Sequence, residues 1–150
     1  TLRRQVMISS LEELLSKKKV DSREILKDEL YLDRLGTKIE ISFRRLSYER
    51  YKFYRKQAMD LKKATFDMDK YRMNIILSCL VDPDLSKGEF LKSLAYDGED
   101  PSTINPEIAL SRVFLAGEIV DIADLILKNS GFKTDPFRDY SQEGEGDSEE

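Results

Sequence analysis

The chain has 150 residues, 40% of them hydrophobic and 36% charged, the proportions of one soluble domain able to bury a real core. It contains no histidine and a single cysteine, which excludes Ser-His and Cys-His nucleophile pairs, histidine-bearing metal sites, internal disulfides and zinc sites built from several thiolates. The net charge of −4 conceals a change of sign: residues 1–65 hold 17 Lys/Arg against 10 Asp/Glu, residues 66–140 hold 8 against 14, and the last ten hold 5 acids and no base.

Such asymmetry fits a charged partner, self-complementary assembly, or two halves that fold against each other. No apolar run approaches the roughly 20 residues of a bilayer-spanning helix, and no signal peptide opens the chain, so a cytoplasmic protein is expected. In chain order, Thr1 to Met7 lacks periodicity, and residues 1–9 are expected to be a flexible end, with Met7 a candidate natural start. Ser10-Leu11-Glu12-Glu13 reads as a capping box opening a short helix to about Ser16. Lys17-Lys18-Lys19 follows, where a helix C-terminus favours cations.

Ile39, Ile41 and Phe43 alternate with Glu40, Ser42 and Arg44, the period of a half-buried strand. Glu29 to Leu35 can pair with it through a tight turn at Gly36-Thr37, giving one hairpin near 29–45. Ser47 then offers an N-cap for a helix to about Ala64. Its wheel places Tyr48, Tyr51, Tyr54, Ala58, Met59 and Leu61 on an inner side and Glu49, Lys52, Lys56, Asp60 and Lys63 on an outer one, where Phe53 is the aromatic out of place.

Asp67 or Asp69 caps the next helix, whose stretch from Tyr71 to Val81 is apolar nearly all round and therefore central and buried. Cys79 within it reads as a small hydrophobe. Asp82-Pro83 stops the helix, because a residue before proline disfavours αR. Ser86-Lys87-Gly88-Glu89 reads as a second capping box, for a short helix through Leu94. After a polar loop, Asn105-Pro106 starts a helix by N-cap and N1 proline, Gly117 marks a break or close approach, and Gly131 supplies the stop. The expected fold is mainly α: about five to six helices with one N-terminal β-hairpin over residues 10–132, followed by a disordered acidic tail at 133–150.

Chemistry is sparse in this pattern. Asp82, Asp84, Asp97 and Asp100 crowd two loops without EF-hand spacing, and capping and turns account for them. A carboxylate-based enzyme remains a third reading, dependent on a site that gathers them. The glycines are isolated, so no phosphate loop is present. No catalytic, metal or cofactor residue is assigned. The stretch from Arg44 to Lys56 interleaves basic and aromatic residues. It reads as a solvated helix face, as a protein contact built on Arg50, Lys52, Phe53 and Lys56, or as a single-stranded nucleic-acid platform within a regulatory protein.

Several short motifs recur in one order: Arg34-Leu35-Gly36 and Ile39-Glu40-Ile41, then Arg45-Leu46-Ser47, Val81-Asp82-Pro83-Asp84-Leu85, Phe114-Leu115-Ala116-Gly117-Glu118-Ile119 and Asn129-Ser130-Gly131-Phe132. This order resembles the XkdN-like tail assembly chaperones of phages and prophages in Gram-positive hosts, including the PBSX-type prophage protein, over about residues 25–132. The resemblance implies a small, mainly helical protein without enzyme activity, working in the bacterial host cytoplasm. Such a protein would bind the tape-measure protein and keep it soluble while tail-tube protein polymerises around it. In many such systems a frameshifted longer form adds a domain that recruits tube protein. No site residue carries over from the family.

Overall fold

The computed structural model of the chain describes residues 2–133, with side chains from Ser10 onward. The first helix, α1 (Leu2–Lys17), begins well before Ser10. Ser10 therefore lies inside the helix, and the predicted capping box does not open it.

The alternating stretch folds as two antiparallel strands, β1 (Ile25–Leu32) and β2 (Thr37–Arg44), in register from Ile25 opposite Arg44 to Leu32 opposite Thr37. The turn between them is a 3₁₀ loop, Asp33–Leu35, closed by Gly36 at φ +62°, a left-handed value that glycine adopts without a Cβ clash. Leu30, Leu32, Ile41 and Phe43 point into the core. The opposite face carries exposed cross-strand ion pairs, Lys27–Glu40 at 3.7 Å and Lys38–Glu29 at 3.5 Å. These contribute little individually.

Ser47 caps α2 (Tyr48–Ala58) as expected, its hydroxyl accepting from the Arg50 N–H at 3.2 Å. The helix is shorter than predicted. Asp60 turns the chain, its carboxylate accepting from the N–H groups of Lys62 and Lys63. A small ribbon then forms from β3 (Met59–Asp60) and β4 (Thr65–Phe66). Asp67 caps α3 (Met68–Cys79), accepting from the Lys70 N–H at 3.1 Å. Tyr71, Ile75, Ile76 and Cys79 are almost wholly buried, so this helix is the centre of the core.

The expected mainly helical fold with one hairpin is incorrect in its sheet. Leu80, Val81 and Asp82 do not end the buried helix; they leave it as β5 (Leu80–Asp82), which pairs antiparallel with β2. The result is a three-stranded sheet in the order β1-β2-β5, plus the two-stranded ribbon. A lone hairpin is marginal in water, and a third strand satisfies the backbone along β2 that a hairpin would leave open. The run Leu80-Val81 is too short for periodicity to separate helix from strand.

Beyond Pro83, α4 (Gly88–Ser93) starts without a side-chain cap. Ser86 is occupied otherwise: its N–H and hydroxyl both donate to Asp84 Oδ1, at 3.0 and 2.6 Å. Asn105 and Pro106 start α5 (Pro106–Val113) as predicted, Asn105 Oδ1 accepting from the Ile108 N–H at 2.8 Å. The break before α6 (Ala116–Asn129) falls at Phe114-Leu115, two residues ahead of Gly117. Gly131, at φ +95°, ends α6. The predicted tail lies, from residue 134, outside the described residues.

Three polar ties bind these layers. Arg34 in the hairpin turn spans to α6, its Nε 3.2 and 3.1 Å from the two Glu118 oxygens and its Nη2 donating to the Val113 carbonyl at 2.8 Å. Glu118 is buried and also accepts from the Leu115 N–H at 2.9 Å, closing the first turn of α6. Ser130 accepts from the Leu46 N–H and donates to the Ile126 carbonyl. Asn129 donates to Asp28 Oδ2 at 3.0 Å, while Asp28 Oδ1 accepts from the Glu29 N–H.

Removing Arg34 strands the buried Glu118 carboxylate, whereas removing Glu118 leaves an Arg34 that water can reach. Arg34→Ala should lower unfolding stability by about 2 kcal/mol and Glu118→Ala by less, about 1 kcal/mol, measured by urea titration. A loss below about 0.5 kcal/mol, the range of an ordinary surface substitution, would refute the tie.

Candidate functional site

The outer face of α2 is where the sequence places its candidate contact residues. Its inner side is set by Ala58, which is buried, and by Tyr51 and Tyr54, half-buried against the core. Tyr51 packs on Phe132 with ring centres 5.1 Å apart, so the end of the fold is fastened to this helix. Lys52, Phe53 and Lys56 are exposed, as expected. Phe53 is 56% exposed and leans on Tyr54, with ring centres 5.7 Å apart.

Arg50 is drawn the other way. Its Nη1 donates to the Ser78 hydroxyl at 2.8 Å and the Ser78 carbonyl at 3.4 Å, tying α2 to the end of α3. Its guanidinium, though exposed, is therefore engaged in the fold's own hydrogen bonding.

Two apolar side chains that the wheel had assigned to the core are exposed. Tyr48 is 72% exposed: it stands at the first helical position, about 60° or more round the helix from Tyr51, Tyr54 and Ala58, which face the core. The Lys52 ammonium lies 5.4 Å from its ring centre. Leu61 is 89% exposed, because the helix ends at Ala58 and carries Leu61 onto the β3–β4 turn. The pairing of Asp60 with two following lysines was the available signal for that turn. Tyr48 and Phe53 thus flank a lysine-bearing strip. A cleft of about 560 Å³ beyond the helix end adds Lys62, Lys63 and Lys70.

The loop aspartates are dealt with separately by their own turns. Asp82 and Asp84 line a cleft of about 440 Å³ with Lys87, Glu89 and Phe90, and neither Asp97 nor Asp100 reaches it. Hydrogen bonds from Ser86 hold the Asp84 carboxyl below its ordinary pKa. Those from Ser102 do the same for Asp100, which caps the 3₁₀ turn Pro101–Thr103. Among the described residues, no three His, Cys, Asp or Glu side chains gather as a metal site. Burial raises the Cys79 thiol pKa, as befits a packed side chain rather than a reactive one. No described helix is long and apolar enough to cross a membrane.

The motifs that occur in order along the sequence meet in space. The Arg34 turn contacts the Glu118 segment, the Leu46 segment contacts Ser130, and Asp82 pairs with the strand at Ser42. They are the joints of one fold. Residues 11–142 match the family model of the phage XkdN-like tail assembly chaperone protein. The chain belongs to this family. The crystal structure of the protein YqbN, a structural genomics target, aligns with 73% of this tail assembly chaperone and 88% of its own chain, at a TM-score of 0.50 and 16% identity. That likeness is one of fold. Comparison with curated proteins gives no match.

Two outcomes follow from the local geometry. Arg50→Ala should lower the melting temperature of the chaperone, whereas Lys56→Ala should leave it within error; equal effects would contradict the structural placing of Arg50. Glu99 accepts a two-pronged contact from Arg112, at 2.6 and 2.9 Å, and also bonds the Tyr96 N–H. The Arg112 hydrogen bonds, then the backbone one, hold Glu99 at a pKa of about 2, down from 4.5. A carboxyl depressed in the folded state stabilises above its unfolded pKa and loses that effect as pH falls through the folded one. The melting-temperature gap between the native chain and Glu99→Gln should hold at pH 7 and shrink between about pH 4.5 and pH 2. A gap independent of pH would refute the assignment.

Proposed function

We propose that this tail assembly chaperone binds the tape-measure protein in the bacterial host cytoplasm, without catalysis, through the outer face of α2. The supporting observation is the pair of exposed rings, Tyr48 and Phe53, on either side of Lys52 and Lys56. A tape-measure protein is long and helix-prone, and before the tube encloses it, its apolar stripes face water. Exposed aromatic rings are efficient anchors for such a stripe, and the lysines orient it by its acidic flanks. Tail-tube protein is a second partner in this reading, reached while the tape-measure protein is held. No cofactor enters the scheme.

The same rings and lysines favour one competing reading, a single-stranded nucleic-acid platform, whose affinity would fall steeply with salt. Tyr48→Ser/Phe53→Ser should weaken binding to a purified tape-measure segment at least tenfold by calorimetry, with an unchanged melting temperature because both rings are exposed. Unchanged binding would sink the proposal. So would a salt-sensitive shift of single-stranded DNA by the native chain that the double variant abolishes.

A further inference from the structure

The described chain ends beside α2. Phe132 packs on Tyr51 with ring centres 5.1 Å apart, and Lys133, the last described residue, is exposed. The Arg55 guanidinium lies 5.6 Å from the centre of the same Tyr51 ring. The sequence that follows Lys133 is therefore tethered next to this helix, with Arg55 close to the point of attachment.

That helix and the ribbon after it form a positive surface. Lys52, Arg55, Lys56, Lys62, Lys63 and Lys70 are all exposed, and among the described residues none of the six forms an ion pair. Acids stand among them, but too few to cancel them: residues 48–70 hold seven basic side chains against four acidic ones. Two of the four also serve the backbone. Asp60 accepts from the Lys62 and Lys63 N–H groups, and Asp67 from the Lys70 N–H.

The sequence beyond Lys133 has the opposite sign. Residues 134–150 hold seven Asp/Glu against one Arg, and five of those acids fall in the last ten residues. Fully extended, these 17 residues reach about 55–60 Å, whereas α2 rises only about 10 Å from Tyr51 to Ala58. The segment is long enough to follow the helix onto the β3–β4 turn. Phe137 and Tyr140 within it supply apolar groups for a face that exposes Phe53 and Leu61.

We propose that residues 134–150 dock on the outer face of α2 and the β3–β4 turn of the same copy, acids to lysines, so that an acidic partner has to displace them. Isolated exposed ion pairs are weak, but a tethered segment meets its site at an effective concentration on the order of millimolar. A contact too weak to matter between separate molecules is then enough to cover the face. Control of tape-measure binding by this cover rests on the reading of α2 given above; the contact itself does not.

Carbodiimide coupling, which joins a lysine amine to a carboxylate in contact with it, tests the docking in the full chain by mass spectrometry. Mixing isotope-labelled and unlabelled chains separates coupling within a copy from coupling between copies. Acids between Glu143 and Glu150 should couple to Lys52, Lys56, Lys62 or Lys63 within one copy, and the products should vanish in high salt. Preferred coupling to Lys17–Lys19, coupling between copies only, or no coupling overturns the proposal. Displacement is read with a poly-glutamate peptide at low salt. The variant Glu143→Gln/Glu145→Gln/Asp147→Asn/Glu149→Gln/Glu150→Gln should bind the peptide at least fivefold more tightly than the native chain, and adding Lys56→Glu/Lys63→Glu should remove that gain. Equal binding by native and neutralised chains, or a gain that survives the lysine reversals, also overturns it. A purified tape-measure segment should show the same gain. If it does not while poly-glutamate does, the docked segment stands and α2 is refuted as the tape-measure face.

Discussion

Glu118 is a carboxylate placed where water hardly reaches, at the start of α6, and the fold is arranged so that it is never alone. It receives the Arg34 guanidinium from the hairpin turn and the Leu115 N–H from the helix start. Arg34 in turn reaches the last carbonyl of α5, that of Val113. One ion pair thus fixes the turn of the hairpin, the end of α5 and the beginning of α6 relative to one another. Burying such a charge unpaired would cost several kcal/mol, so alternative packings of the sheet on the helices are penalised. The apolar core, with α3 at its centre, supplies the bulk of the stability but little of this specificity.

The other joints follow the same logic with neutral groups. Ser130 and Asn129, at the end of α6, hold the Leu46 backbone and the Asp28 carboxylate, and Phe132 closes on Tyr51. The YqbN structure shares this fold at 16% identity.

Much of the architecture was legible because it was written in local chemistry. The caps at Ser47, Asp67 and Asn105, the stop at Gly131, the buried third helix and the alternation at Ile39–Phe43 are all short-range signals. What stayed hidden depended on distant partners. Leu80–Asp82 looks like the end of an apolar helix until β2 provides an open edge. Ser86 looks like a cap until Asp84 claims its hydroxyl. At the candidate surface, Phe53 was readable as an aromatic on a charged side. Tyr48 and Leu61 were assigned inward, because the wheel assumed a helix of full length and drew its inner side too wide. Arg50 shows the converse: its charge suggested a contact residue, and Ser78, out of view in the sequence, keeps it.

Asp28 has a consequence for the company this protein keeps. An open strand edge invites uncontrolled stacking into aggregates. The Asp28 carboxylate fills the hydrogen-bonding gap at Glu29, and the Asn129 amide, then the Glu29 backbone, keep it ionised below the usual aspartate range. The guard is thus a hydrogen bond rather than a steric block. It is in force at neutral and mildly acidic pH, and a residue without a side-chain acceptor at this position would leave the Glu29 N–H open at the sheet edge.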